Sequence, residues 1–182
     1  MLSNRLSKQW IDPLSRLAIL IAGLFTIVAL TLSIVGTATT SWYYDQDSLG
    51  NTQSYNLFTY CTGNLLESSS ICVDMSRETS LGLGTQNAAG LLVVALCLLG
   101  SAMIITLLMN CVLLTGILSF IAPTLLFLAS LFILAALAEG SRVTKYNSYS
   151  AHLVQTGHLL TILCMGLTGF AAGRLHIQSF PL

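Results

Sequence analysis

Residues able to do chemistry are few in this chain and gather in two places. Cys61 and Cys72 bracket the polar stretch CTGNLLESSSIC, with ten residues between them. Two thiols at that spacing offer a structural disulfide in an oxidising compartment. The sequence has no CxxC, which argues against a quinone-linked thiol oxidase. The second place is the run AHLVQTGH, where His152, Gln155 and His158 recur three apart and fall on one side of a helix near its end. Imidazoles inside a membrane span are the raw material of a metal or proton site. No third strong ligand accompanies them beyond Glu139 at a similar depth, so the face reads as polar packing inside the mouth of a helix bundle. Cys111 sits at a membrane edge and reads either as a palmitoylation site or as an inert thiol. Phosphate-cradling glycine loops, HExxH and paired intramembrane carboxylates are all missing, and GLGTQNAAG has no lysine after its glycines. The chain is therefore expected to be no enzyme, with no catalytic residue, metal, cofactor or small-molecule substrate.

The elements that carry these residues follow from composition. Hydrophobic residues make up 54% of the 182 and charged ones 8%, against about 25% charged in a soluble domain. Such a chain cannot cover a water-facing surface and must face lipid. Its zero formal charge argues against a nucleic-acid partner. A bilayer crossing takes about 20 helical residues, and four uncharged runs are long enough. They place spans at about 17–36, 85–109, 112–138 and 151–173 in one domain covering 1–182. The first apolar core exceeds the length of a signal-peptide core and is read as a retained span. The middle two share one uncharged run, divided near Leu108–Cys111, where Asn110 suits a turn. Pro123 is expected to bend the third span.

Charge placement orients the spans. Arg5, Lys8, Arg16 and Arg174 flank the termini against one acid, Asp12, whereas the loops 37–84 and 139–150 hold six acids against three cations. Both termini are thus expected in the cytosol and both loops outside, in a multi-pass plasma-membrane protein. Cys61 and Cys72 then lie in an oxidising compartment and are expected to pair, because Cys97 and Cys164 lie inside spans and Cys111 at the cytosolic turn. Strand-like pieces at Thr40–Tyr44, Ser54–Tyr60 and Ser70–Val73, separated by turn-forming residues, predict a small antiparallel sheet in the first loop. In it Leu57 and Phe58 would point to opposite faces. Trp42, at the top of the first span, suits the interfacial aromatic belt. The expected fold is therefore an all-α membrane protein, a four-helix bundle with a small antiparallel β-sheet outside.

The order Trp42, then Asn56-Leu57-Phe58-x-x-Cys61, then Cys72, between the first two of four spans, resembles the claudin and peripheral myelin protein superfamily. Its "LFTYC" flavour looks closer to the fungal PalI-like tetraspans. Asn56 stands where claudins carry Gly, and Phe58 where they carry Trp. The resemblance implies a non-catalytic membrane organiser, working by lateral or cell-surface association in membrane domains, cell-wall or pH sensing, or cell contact. It also admits an auxiliary subunit that modulates an ion channel or receptor. The partners would be the bilayer and copies of itself or other membrane proteins. Gly166, Gly169 and Gly173 form a small-residue pattern in the fourth span, read chiefly as a packing seam within the bundle.

Overall fold

A computed structural model describes residues 13–39, 42–55, 57–64, 69–74, 86–111, 116–143 and 147–179. Four long helices carry the chain: α1 (Pro13–Ala38), α2 (Gln86–Cys111), α3 (Ile121–Val143, entered through a 3-10 turn at Gly116–Phe120) and α4 (Tyr149–Ser179). Each is apolar and long enough to cross a bilayer. At 1.5 Å per residue the shortest spans about 34 Å, more than the hydrocarbon core needs. Leu24, Ile104, Leu134 and Leu159 point outward, as a lipid-facing surface requires.

The helices join as two tight antiparallel pairs, α1 with α4 and α2 with α3, closed into a ring by α1–α2 and α3–α4 contacts. Lipid gives no hydrophobic reward for helix association, so close packing must come from small side chains. The buried side of α1 is mostly small, Ser15, Ala18, Ala22, Thr26, Ala29, Ser33 and Gly36 beside the larger Ile19, and so is that of α4, with Ala151, Gly157, Thr161, Cys164, Thr168 and Ala171 beside Val154 and Leu175. Buried threonine hydroxyls are satisfied within their own helices: Thr26 donates to the Ala22 carbonyl at 2.6 Å, Thr106 to Ala102 at 2.8 Å and Thr168 to Cys164 at 2.8 Å, whereas the buried Ser15 and Ser33 hydroxyls make no hydrogen bond among the described residues. A polar group in hydrocarbon with no partner would cost far more than in water.

Between α1 and α2 lies a four-stranded antiparallel meander, β1 (Tyr43–Gln46), β2 (Asn51–Tyr55), β3 (Thr59–Asn64) and β4 (Ser69–Asp74), in that spatial order. The β1–β2 turn closes on a 3.0 Å bond from Gly50 N to Asp47 O, with Gly50 at φ 82°. That left-handed conformation suits glycine alone.

Three expectations change. The strand expected over Ser54–Tyr60 is two strands, because the chain turns between Tyr55 and Thr59 to bury Leu57 among the helix ends, leaving Phe58 exposed. Pro123 stands not in an α-helix interior but in the first turn of α3, directly after the 3-10 turn Gly116–Phe120, so the change from 3-10 to α-helix falls beside the proline. Trp42 is 2% exposed rather than lying in an interfacial belt. It heads a core cluster with Leu57, Ala88, Leu92, Ile133, Ala136, Ala151 and Val154, which seats the sheet on the ends of α2, α3 and α4.

Candidate functional site

The junction of sheet and helices is built from few residues, each held twice. The Trp42 indole donates to the Gly36 carbonyl at 2.7 Å, and its backbone N–H to Tyr55 O at 3.1 Å, so one residue ties the end of α1 to β2. Gly36 also lies directly against α4: a Cβ there would stand 2.7 Å from both Ser150 O and Val154 Cγ2. One turn deeper Gly157 plays the same part for α4, where a Cβ would collide with Ser33 Oγ and stand 2.9 Å from Ala29 O. On the other flank Asn147, just ahead of α4, grips the backbone of Tyr44. Its Oδ1 accepts from Tyr44 N at 2.9 Å and its Nδ2 donates to Tyr44 O at 2.7 Å. The amide thus occupies β1 as a neighbouring strand would. Thr39 and Ser150 add a hydroxyl–hydroxyl bond of 2.7 Å.

Cys61 and Cys72 are joined by a disulfide, directly opposite one another on β3 and β4 with Cα atoms 4.1 Å apart. Each row of the sheet is a cross-strand set. Tyr43 faces Tyr55 and Tyr55 faces Tyr60, their rings 4.7 and 6.3 Å apart. Burial, with the neighbouring Tyr43, Tyr60 and Asp45, raises the Tyr55 phenol pKa above its ordinary value.

His152, Gln155 and His158 do not act as one face. His152 and Gln155 are exposed, with Nδ1 and Oε1 3.2 Å apart, whereas His158 turns toward α3 and lies 2.9 Å from Ser130 Oγ through Nε2. The reason is helical drift: three residues fall 60° short of a full turn, so six separate His152 from His158 by about 120°. Among the described residues, no three His, Cys, Asp or Glu side chains lie together as a metal site would need.

The glycines of α4 also divide. Gly157 is the close-approach position against α1. An added Cβ at Gly166, Gly169 or Gly173 meets nothing within 4 Å, so among the described residues these three build no seam inside the bundle. They lie on the opposite side of α4 from Cys164 and Thr168, the side that also carries Gln155. Sequence reading missed Gly36, Ser33 and Gly157. The recurrence of small residues every three or four positions along both α1 and α4 is the signal that could have found them. Asn56 lies outside the described residues, and Cys111 is the last residue of α2.

Comparison with known families places the chain. No individual curated protein matches it. The family described as lipoma HMGIC fusion partner-like protein matches residues 18–139, about two thirds of the chain, from α1 through the outer sheet to α3. This overturns the claudin and PalI-like assignment. The residues that carried that resemblance, among them Trp42, Leu57, Cys61 and Cys72, serve here to pin and staple a small sheet on helix ends. The chain belongs to the lipoma HMGIC fusion partner-like family of tetraspan membrane proteins.

Proposed function

We propose that this four-span unit is a non-catalytic organiser of the plasma membrane, acting by lateral association through its lipid-facing helices and by contact through its outer sheet. The charge asymmetry between termini and loops supports cytosolic termini and an extracytoplasmic sheet. The cell-wall and pH-sensing roles rested on the PalI-like resemblance and lapse with it. The observation that carries lateral association is the outward face of α4, where Gly166, Gly169 and Gly173 leave open space beside a helix already packed on its other side. Small residues facing lipid admit the close backbone approach of another helix.

Subunit counting on tagged full-length protein at low expression tests the reading. The parent chain should form assemblies, and Gly166→Leu with Gly173→Leu together should break them up without loss of surface delivery. A monomeric, evenly spread parent, or assemblies that the double variant leaves intact, would refute it.

The second reading, an auxiliary subunit of a channel or receptor, is favoured by Gln155. Its amide faces outward on α4 at the level where Val154 meets Gly36, close to the last apolar turn of α1. An amide at that depth gains from a hydrogen-bonding partner helix. Recovery of a stoichiometric pore-forming subunit from gently solubilised membranes selects this reading; self-association alone selects the first.

A further inference from the structure

We propose that the outward face of the sheet is a docking surface for arginine: Tyr43, Tyr55 and Tyr60, with Asp45 beside them, receive the guanidinium groups of a basic segment on a partner protein. This deepens the reading that the outer sheet makes contacts, and rests on it.

The register puts the three tyrosines in one row across β1, β2 and β3, and the next row on the same face is Asp45, Gln53, Thr62 and Ile71. Trp42 and Cys61, of opposite parity, are buried toward the helices. The tyrosine face is therefore turned away from the bundle. Asp45, Gln53 and Thr62 are exposed, Ile71 is 70% exposed, and the three rings are half-buried, each keeping part of its surface open. Cross-strand stacking alone would stabilise the sheet, but it does not account for the charge. Residues 37–76 carry Asp45, Asp47, Glu67 and Asp74 and no lysine or arginine, and the two outer loops together hold six acids against the three cations Arg77, Arg142 and Lys145. A row of tyrosine rings beside the exposed Asp45 carboxylate attracts a cation by both its quadrupoles and its charge.

The choice of arginine follows from geometry. A planar guanidinium stacks on a ring while its edge hydrogen-bonds a carboxylate in two places. A quaternary ammonium headgroup would satisfy the rings but has no donor for Asp45. Tyrosine and arginine are also among the residues enriched at protein interfaces.

The test uses the full-length chain in nanodiscs of phosphatidylcholine and a short fluorescent peptide of alternating arginine and glycine, with its citrulline counterpart as the uncharged control. The arginine peptide is expected to bind, and the citrulline peptide at least about tenfold more weakly. Asp45→Asn and Tyr55→Leu should each weaken binding about three- to fivefold, while Tyr55→Phe, which keeps the ring, changes it by less than about twofold. Failure of the arginine peptide to bind would overturn the proposal, as would equal binding of the citrulline peptide. So would binding unchanged in Asp45→Asn and Tyr55→Leu. Thermal unfolding of each variant shows whether the sheet is intact, and Asp45→Asn, which adds no bulk, decides the matter if Tyr55→Leu fails to fold. Subunit counting reads a different face, so loss of lateral association with peptide binding intact, or the reverse, separates the two readings.

Discussion

Gly157→Ala tests the central packing statement, that α1 and α4 touch backbone to backbone. The added methyl would collide with Ser33 Oγ and stand 2.9 Å from Ala29 O and 3.5 Å from Ser33 N. Two of these neighbours are backbone atoms, which cannot rotate away. The helices must part by several tenths of an ångström, and overpacking of that kind costs about 1–3 kcal/mol. Alanine also returns about 1 kcal/mol of helix propensity relative to glycine. The clean measurement is therefore a comparison with Gly166→Ala, which gains the same propensity but whose methyl enters open space. Gly166→Ala should be neutral or more stable by up to about 1 kcal/mol. Gly157→Ala should fall below it by about 1–3 kcal/mol. Adding Ser33→Ala removes the hydroxyl obstruction but not the Ala29 carbonyl, so it should rescue part of the loss and the two changes will not be additive. The assay is unfolding of the full chain in mixed micelles against added sodium dodecyl sulfate, followed by helical circular dichroism. Equal stability of Gly157→Ala and Gly166→Ala, or the reverse order, would show that α1 and α4 are not in backbone contact at this level.

Other perturbations probe the sheet and its seat. Cys61→Ser and Cys72→Ser should each lower stability by about 3 kcal/mol, as expected for opening a loop of this size, and the double variant should match either single one; additive losses would mean the sulfurs act separately. Trp42→Phe keeps a ring in the core but loses the bond to the Gly36 carbonyl, so it should cost about 1–2 kcal/mol and make the first loop a faster protease substrate at unchanged helix content. Asn147→Ala removes both bonds to Tyr44; amide exchange at Tyr44 should then accelerate while exchange at Thr59–Asn64 stays slow, and an unchanged Tyr44 rate would refute the strand-mimic reading.

Much of the architecture is legible in hydropathy because the bilayer imposes it: a chain with so few charges and four long apolar runs has few alternatives. What escapes the sequence is what depends on a partner in space. Ser54–Tyr60 reads as one strand because no Gly or Pro interrupts it; the turn inside it exists because Leu57 has a place among Ala88, Leu92 and Ile133. Pro123 reads as a kink inside a long helix, whereas the structure sets it just after a change from 3-10 to α-helix. Trp42 and the histidines look equally polar-aromatic in sequence, yet the indole is buried by the sheet's docking while His152 stays exposed.

The two small-residue tracks of α4 show why motif and role come apart, and what the outer one implies. Gly157, Thr161, Cys164 and Thr168 lie on one side and are consumed by α1, with the Cys164 thiol 3.5 Å from Ala22 O. Gly166, Gly169 and Gly173 lie on the other and touch nothing within 4 Å of an added Cβ. In an isolated bundle those three glycines are a net loss, each costing about 1 kcal/mol against alanine in helix stability. They give up side-chain contact with lipid as well. A second helix laid along the track reverses the balance, because the absent side chains bring two backbones into van der Waals reach. The stability of the single chain and its capacity to associate should therefore move in opposite directions when the outer track is filled: Gly166→Leu with Gly173→Leu should leave the monomer as stable or more so, yet less able to assemble. A variant that lost both together would mean that the outer track serves the fold itself.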